Sequence, residues 1–255
     1  MEGKYFYRYP RPAVATDCVI FGYDNKHINV LLIKRGTAPY LGAWALPGGF
    51  LNEEETLINC AERELSEETG VRGIKLREAS LMSDLNRDPR DRVISVVYYG
   101  LLGPAAMSSD MVKVGSDASE LKWIPVDEAI NEEVLAFDHK TIVMKALDVL
   151  KKDLNREPVA FELLDTKFTI KQLQRVYELI LGREFDRANF HKKMVGDGGD
   201  NSDGSRKKGR KKNSGILLDT GEVVVDTKHK PAKYYSFDRV KYNHLMENDD
   251  FSFGF

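Results

Sequence analysis

Between Gly49 and Val71 the chain reads GFLNEEETLINCAERELSEETGV, with the spacing G-x5-E-x7-R-E-U-x-E-E-x-G-U, where U is an aliphatic residue. Seven of these positions demand one residue type, which makes the run far more specific than an ordinary short motif. Glu64, Glu67 and Glu68 stand at i, i+3 and i+4, so on a helix the three carboxylates share a face and can converge on one or more cations. Hard oxygen donors select Mg2+ or Mn2+. Arg63 lies four residues before Glu67 and is placed to hold that carboxylate in one rotamer, while Leu57, Ala61 and Leu65 form the opposite, buried stripe. Asn52 as N-cap with Glu55 at N3, and Gly70 just past the end, set an expected helix from about Glu53 to Thr69. Gly48 and Gly49 precede it, a loop without side chains in which backbone N–H groups can approach an anion. Acidic helices are ordinarily solvated faces, but a solvated face requires no glycine on either flank.

This run resembles the signature of the Nudix hydrolases. The resemblance implies an α/β (α+β) domain, a mixed sheet sandwiched between helices, that cleaves the pyrophosphate of a nucleoside diphosphate linked to another moiety with a divalent metal. It makes Glu67 and Glu68 metal ligands and Glu64 a ligand or the base, beside Arg63.

With 255 residues the chain has room for one large or two ordinary domains. Net charge is −2, yet residues 1–155 carry 19 basic and 24 acidic side chains while residues 156–255 carry 19 and 16, so the second part suits a polyanionic partner better. Two cysteines, Cys18 and Cys60, make a poor disulfide framework and point to buried thiols in a reducing compartment. The opening MEGKYFYRYPRP lacks the apolar core of a signal peptide, and the longest apolar run, Val93 to Leu102, is too short to span a bilayer. The expectation is a cytoplasmic protein with no membrane partner.

Strands are expected at Ala13 to Tyr23, Ile28 to Lys34, Ile74 to Leu85, Arg92 to Leu102 and Leu121 to Ile124, with Trp44 to Phe50 leading into the motif and a loop around Ser108 to Ser119. A helix over about Asp138 to Leu154 closes a first domain at 1–155, and Arg156-Glu157-Pro158 reads as the linker. In the second part, Thr169 and Gln172 form a capping box for a helix with Leu173, Val176, Tyr177 and Ile180 inward and Gly182 at its end. Asp186 can cap another helix, from about Arg187 to Val195 with Phe190 and Met194 inward, making a helix-turn-helix candidate. A polar, basic insert at about 197–214 cannot bury a core and is expected to be disordered. Strands at Ile216 to Leu218, Glu222 to Asp226 and Lys233 to Phe237, with a turn at Asp219-Thr220-Gly221, complete a small winged-helix domain at 156–245, and 246–255 reads as a tail.

Arg87, Arg90 and Arg92 concentrate three guanidinium groups at a strand entry, where a phosphate or ribose can lie; the bland alternative is a charged turn. These residues, the Gly115 to Ala118 segment ahead of Trp123, the run ending at His139 and the C-terminal module together resemble the Nudix-related transcriptional regulators of NAD and sugar metabolism over almost the whole chain. Such proteins resemble ADP-ribose pyrophosphatases joined to a winged helix. That resemblance implies substrate contacts at Gly48, Gly49, Arg87, Arg90, Arg92 and Asp117, and Asp117 or Glu120 as an extra acid on a mobile loop that can act as base. His139 is either a substrate contact or a satisfied structural histidine. Arg187, Asn189, His191, Lys192 and Lys193 populate the second helix of the module and are placed to read a major groove; the alternative is a basic solvated helix. The expected protein is an Mg2+-dependent hydrolase of ADP-ribose or a related nucleoside diphosphate derivative, fused to an operator-binding winged helix and acting as a homodimer. Two alternatives stand beside it: a non-catalytic sensor, and a C-terminal part that only dimerises the enzyme.

Overall fold

The computed structural model describes residues 8–109, 112–113, 118–131, 134–196, 215–224, 231–248 and 251–254. The insert at 197–214 and Asp117 fall outside them. The chain divides into two compact units, Met1–Val149 and Leu150–Phe255.

The first unit is a mixed sheet. Strand β1 (Ala13–Tyr23) pairs antiparallel with β2 (Ile28–Arg35) across a turn in which Asp24 Oδ1 accepts from the N–H groups of Lys26 and His27 at 2.8 and 2.7 Å. Two short strands, β3 (Trp44–Ala45) and β4 (Gly48–Phe50), lie on β2 and β1 and lead into helix α1 (Leu57–Thr69). Strand β5 (Arg77–Met82) is antiparallel to β6 (Val93–Leu102), and β6 runs parallel to β1 along its length. After the short helix α2 (Pro104–Met107), strand β7 (Ala118–Pro125) adds to β2, and helices α3 (Val126–Asn131) and α4 (His139–Leu154) follow. Side chains alternate across β1: Cys18 and Ile20 enter the core beneath α1 with Leu31, Ala61, Leu65 and Val96, whereas Asp17 emerges on the other face, where His139 opens α4. Burying a side chain such as Leu65 contributes about 1.5–3 kcal/mol.

Helix α1 begins later than its composition indicated. Thr56, rather than Asn52, is the N-cap and accepts from Asn59 N–H at 3.3 Å, because Glu55 spends its carboxylate on Asn52 N–H and on Arg63. Gly70 closes the helix in the left-handed region as expected. Cys18 and Cys60 are both buried and free.

In the second unit a 3-10 turn (Val159–Leu163) and a two-residue strand, β8 (Phe168–Thr169), precede α5 (Ile170–Leu181), whose capping box between Thr169 and Gln172 is complete. Helix α6 (Arg187–Val195) packs on it through Tyr177 and Phe190, edge to face at 5.5 Å. Strands β9 (Leu217–Val223) and β10 (Lys233–Phe237) pair antiparallel, and β10 also pairs with β8. Asp219-Thr220-Gly221 is therefore not a turn between strands but an irregular stretch inside β9, with Gly221 at φ 75°. A further helix, α7 (Arg239–Glu247), follows. Nor is the segment after residue 246 a loose tail. Phe253 is buried against Tyr242 and Phe251, and Phe161 stacks on Phe237 at 4.2 Å, so aromatic rings from both ends of the unit close its core.

Phe253→Ala is expected to destabilise the second unit by about 3–5 kcal/mol, the usual cost of emptying a buried phenyl site. Urea unfolding followed by circular dichroism measures it, and a loss below about 1 kcal/mol would contradict core burial of the segment.

Candidate active site and DNA-facing helix

Gly48 and Gly49 are glycines for reasons of space. A Cβ on Gly48 would stand 2.1 Å from the Thr16 carbonyl oxygen, and one on Gly49 would fall 2.3 Å from the Glu64 carboxyl carbon. Their amides are not offered to a ligand in the way expected. Gly48 N–H donates to Glu68 Oε2 at 2.9 Å, and Gly49 lies in the β1–β4 ladder opposite Thr16. The glycines let the loop press against α1, so that Gly48 N–H reaches Glu68 and Gly49 packs directly on the Glu64 carboxylate.

Arg63 binds these carboxylates together. Its guanidinium forks onto Glu55 at 2.6 and 3.0 Å, donates to Glu64 at 2.6 Å and to the Phe50 carbonyl at 3.2 Å, and reaches Glu67 at 3.2 Å. Glu55, not Glu67, is therefore its principal partner. The hydrogen bonds from Arg63 hold Glu55 down to about 2, and those from Glu55 keep Arg63 charged well beyond its ordinary range. Glu68 is buried, Glu64 partly buried, and Glu67 half exposed.

The donor set fits a hard divalent cation: three carboxylates on one helix face, with Gly49 leaving the room that the Glu64 carboxylate occupies. Among the described residues no three His, Cys, Asp or Glu groups form a closed metal cluster. A cation at Glu64 and Glu67 would take oxygen lone pairs now engaged by Arg63.

Behind the glycine loop lies a buried polar network. Arg87 forks onto Asp138 at 2.9 and 3.0 Å and reaches Asp17 at 3.2 Å, and Asp17 also accepts from Ser95 Oγ at 2.6 Å. The Arg87 side chain is 5% exposed, so its charge is committed to these carboxylates. His139 Nδ1 accepts from Leu46 N–H at 2.8 Å, and its Nε2 lies 3.5 Å from Asp17. Burial first, and the Arg87 and Arg35 charges after it, push the His139 pKa below its ordinary value against the opposing pull of Asp17 and Asp138.

Asp17, Leu46, Arg87 and His139 border a cleft of about 50 Å³ with Arg35, Gly48, Gly49, Phe50, Arg90 and Phe137. Arg90 pairs with buried Asp88 at 2.6 Å and lies over the rings of Phe50 and Phe137, 5.0 and 5.5 Å from their centroids. Arg35 covers Phe137 at 4.9 Å. Phe137 and Tyr40, edge to face at 4.7 Å, both hold positive φ, 53° and 62°, a conformation that side-chain-bearing residues adopt at a cost. Nothing in residue type marked Arg35, Tyr40 or Phe137 beforehand; only the fold assembles them. A larger depression of about 490 Å³ lies along α1 between Arg63, Glu67, Ile74 and Leu76, but apart from Arg63 and Glu67 it holds none of the groups just described.

The remaining expected contacts are elsewhere. Arg92 donates to the Asp84 carbonyl, and exposed Glu120 pairs with Lys34 at 3.2 Å.

On α6, Arg187, Asn189, His191 and Lys192 are exposed. Lys193, about 100° further round the helix than Lys192, donates to the Gly254 carbonyl, and burial lowers its pKa. Its ammonium is thus held by the chain rather than offered outward with the other four.

Two family models match: the NUDIX domain over residues 11–146 and the NrtR DNA-binding winged helix domain over residues 160–198. An ADPR responsive transcriptional repressor, NtrR, of Acinetobacter baylyi is 32% identical over 96% of this chain and 87% of its own length. An ADP-ribose pyrophosphatase of Methanocaldococcus jannaschii is 38% identical over 55% of this chain and 76% of its own. The crystal structure of Shewanella oneidensis NrtR with a 27mer DNA superposes with a TM-score of 0.69 at 27% identity, covering 88% of this chain and 93% of that one.

His139 has a folded pKa below the unfolded value of 6.5, so its contribution is present above pH 6.5 and is lost as pH falls through it, when the unfolded chain takes up the proton first. Stability of the first unit should fall by up to about 1.4 kcal/mol per pH unit below that point. The only tryptophans, Trp44 and Trp123, both lie in this unit, so denaturation followed by fluorescence at several pH values reads it selectively. His139→Asn should flatten the slope, and an unchanged slope would show that other groups set it.

Proposed function

The chain belongs to the Nudix family, and from that premise we propose that its first unit binds and hydrolyses ADP-ribose or a close nucleoside diphosphate relative, while its second unit binds operator DNA under control of that ligand. The observation that carries this is the full carboxylate set, Glu64 and Glu68 pressed against Gly49 and Gly48 with Glu67 beside them, in one chain with the exposed row Arg187, Asn189, His191 and Lys192. Similarity to a repressor named for its response to ADPR, across nearly the whole length, supports the regulatory half; similarity to an ADP-ribose pyrophosphatase supports the catalytic half.

In this reading Glu64, Glu67 and Glu68 hold Mg2+ or Mn2+, which supplies Lewis acidity and neutralises the diphosphate. Arg63 keeps three of the surrounding carboxylates in fixed rotamers, so their repulsion is offset before substrate arrives. Water attacks one phosphorus, the bond to the bridging oxygen breaks, and AMP and a phosphorylated sugar leave. The cleft is far smaller than the roughly 300 Å³ at which ligand pockets begin. Binding therefore requires Arg90 to swing off Phe50 and Phe137, which frees two aromatic faces for a base and one guanidinium for a phosphate. The chain acts as a homodimer on a two-fold operator, with recognition helices about one turn of DNA, roughly 34 Å, apart.

Glu67→Gln should lower Mg2+-dependent ADP-ribose hydrolysis at least a hundredfold with circular dichroism unchanged. Retention of more than a tenth of wild-type activity would remove Glu67 from the metal site, and an inactive wild type that still binds ADP-ribose would leave the sensor reading alone standing. If ligand and DNA are coupled, ADP-ribose should weaken operator binding five- to a hundredfold, about 1–3 kcal/mol, and operator should weaken ADP-ribose binding by the same factor. Replacing Arg187 and Lys192 together by alanine should abolish operator binding in titrations by anisotropy. Unchanged affinity in that variant would move the DNA interface off α6.

A further inference from the structure

His139 borders the cleft, yet it is 4% exposed and both its ring nitrogens are turned toward protein partners. Its position in the hydrogen-bond order gives it another task. Leu46 N–H donates to Nδ1, so the ring carries its proton on Nε2, directed toward Asp17. Asp17 is held by Ser95 and Arg87, and Arg87 by Asp138, which fixes the plane of the imidazole from behind. On the other side, Leu46 begins the Leu46-Pro47-Gly48-Gly49 segment. Pro47 C=O accepts from Cys18 N–H at 2.8 Å, and Gly48 N–H reaches Glu68 at 2.9 Å. One imidazole thus ties the first turn of α4 to the loop that orients a box carboxylate.

We propose that His139 is a positioning residue for the carboxylate site, acting through the Leu46–Gly49 segment on Glu68. Without an acceptor for Leu46 N–H, the segment loses its anchor just before Gly48, and the Gly48–Glu68 hydrogen bond no longer has a fixed donor. Because Gly48 already approaches Thr16 more closely than any side chain would allow, small shifts of this segment move Glu68 rather than being absorbed by the loop. The effect on turnover rests on the hydrolase reading above; the effect on the segment does not.

The test uses the full-length protein and three variants. Asparagine places an amide oxygen close to where Nδ1 stands, so His139→Asn restores the acceptor, whereas His139→Ala removes it and leaves a cavity only modestly larger. Hydrogen exchange of the free protein over residues 44–50 should quicken at least tenfold in His139→Ala and stay within threefold of wild type in His139→Asn. Ser95→Ala loosens Asp17 without altering the ring and should give an intermediate two- to fivefold rise, which keeps the proposal testable if His139→Ala does not fold. With ADP-ribose and Mg2+, His139→Ala should lower kcat at least tenfold with KM changed less than threefold, and asparagine should recover most of the loss. A role in packing alone predicts equal damage from alanine and asparagine, and that result, or exchange unchanged in both His139→Ala and Ser95→Ala, overturns the proposal. If the wild type neither binds nor cleaves ADP-ribose, the hydrolase reading fails while the exchange data still decide the role of His139.

Discussion

Three carboxylates crowded at the start and along one face of α1, Glu55, Glu64 and Glu67, would repel one another, and the Arg63 guanidinium between them offsets that repulsion. Arg63 joins Glu55, which precedes α1, to Glu64 and Glu67 on it, and to the Phe50 carbonyl at the end of β4. Loop, strand and helix therefore meet at one side chain. Lysine could not replace it, because a point charge cannot fork onto Glu55 while donating to Glu64, Glu67 and the Phe50 carbonyl as well. The same bonds explain why Glu55 remains ionised far into acid and stays outside the helix, which Thr56 caps and Leu57 begins.

A second electrostatic arrangement lies on the opposite face of β1. There Arg87 faces two carboxylates, Asp17 and Asp138, beside a neutral imidazole, all largely withdrawn from water. Such a cluster costs desolvation, which the bonds among its members offset, so removing one member should disturb the rest more than its own bond warrants. Between the two arrangements sit the glycine loop and the cleft. Ligand chemistry is thus framed by one network that is more exposed and rich in anions and another that is buried, with one guanidinium between two carboxylates.

Much of this was legible in the chain. The motif at 49–71 marked α1, its carboxylates and the flanking glycines, and the capping signals at Thr169 and Asp186 located α5 and α6 to the residue. What residue type could not tell was which partner a charged group would choose. Arg87 and Arg90 look alike in sequence, yet one is buried in ion pairs and the other is half exposed over two phenyl rings, a difference set by strands distant along the chain. Lys193 looked like its neighbour Lys192 until the segment at 251–254 folded back upon it. Gly221 suggested a turn because glycine usually does; here it serves an irregularity within β9. Phe137 and Tyr40 gave no signal at all, since positive φ on an aromatic residue is a property of the assembled fold.

The parallel pairing of β1 with β6 carries a consequence for the order of events during folding. Ala13 meets Val93, a separation of roughly eighty residues, and ten successive residues repeat that distance. No local hairpin can template such a pairing, so loop closure has to be completed before the central sheet gains anything from it, and chains of this kind fold slowly compared with helical bundles. Asp17 and Ser95 lie on this strand pair and bond to each other across it. Helix α1 can form early from neighbouring residues, but the platform beneath the glycine loop exists only once β1 and β6 have found each other. A chain caught before that moment would display the whole motif in its sequence and hold none of its geometry.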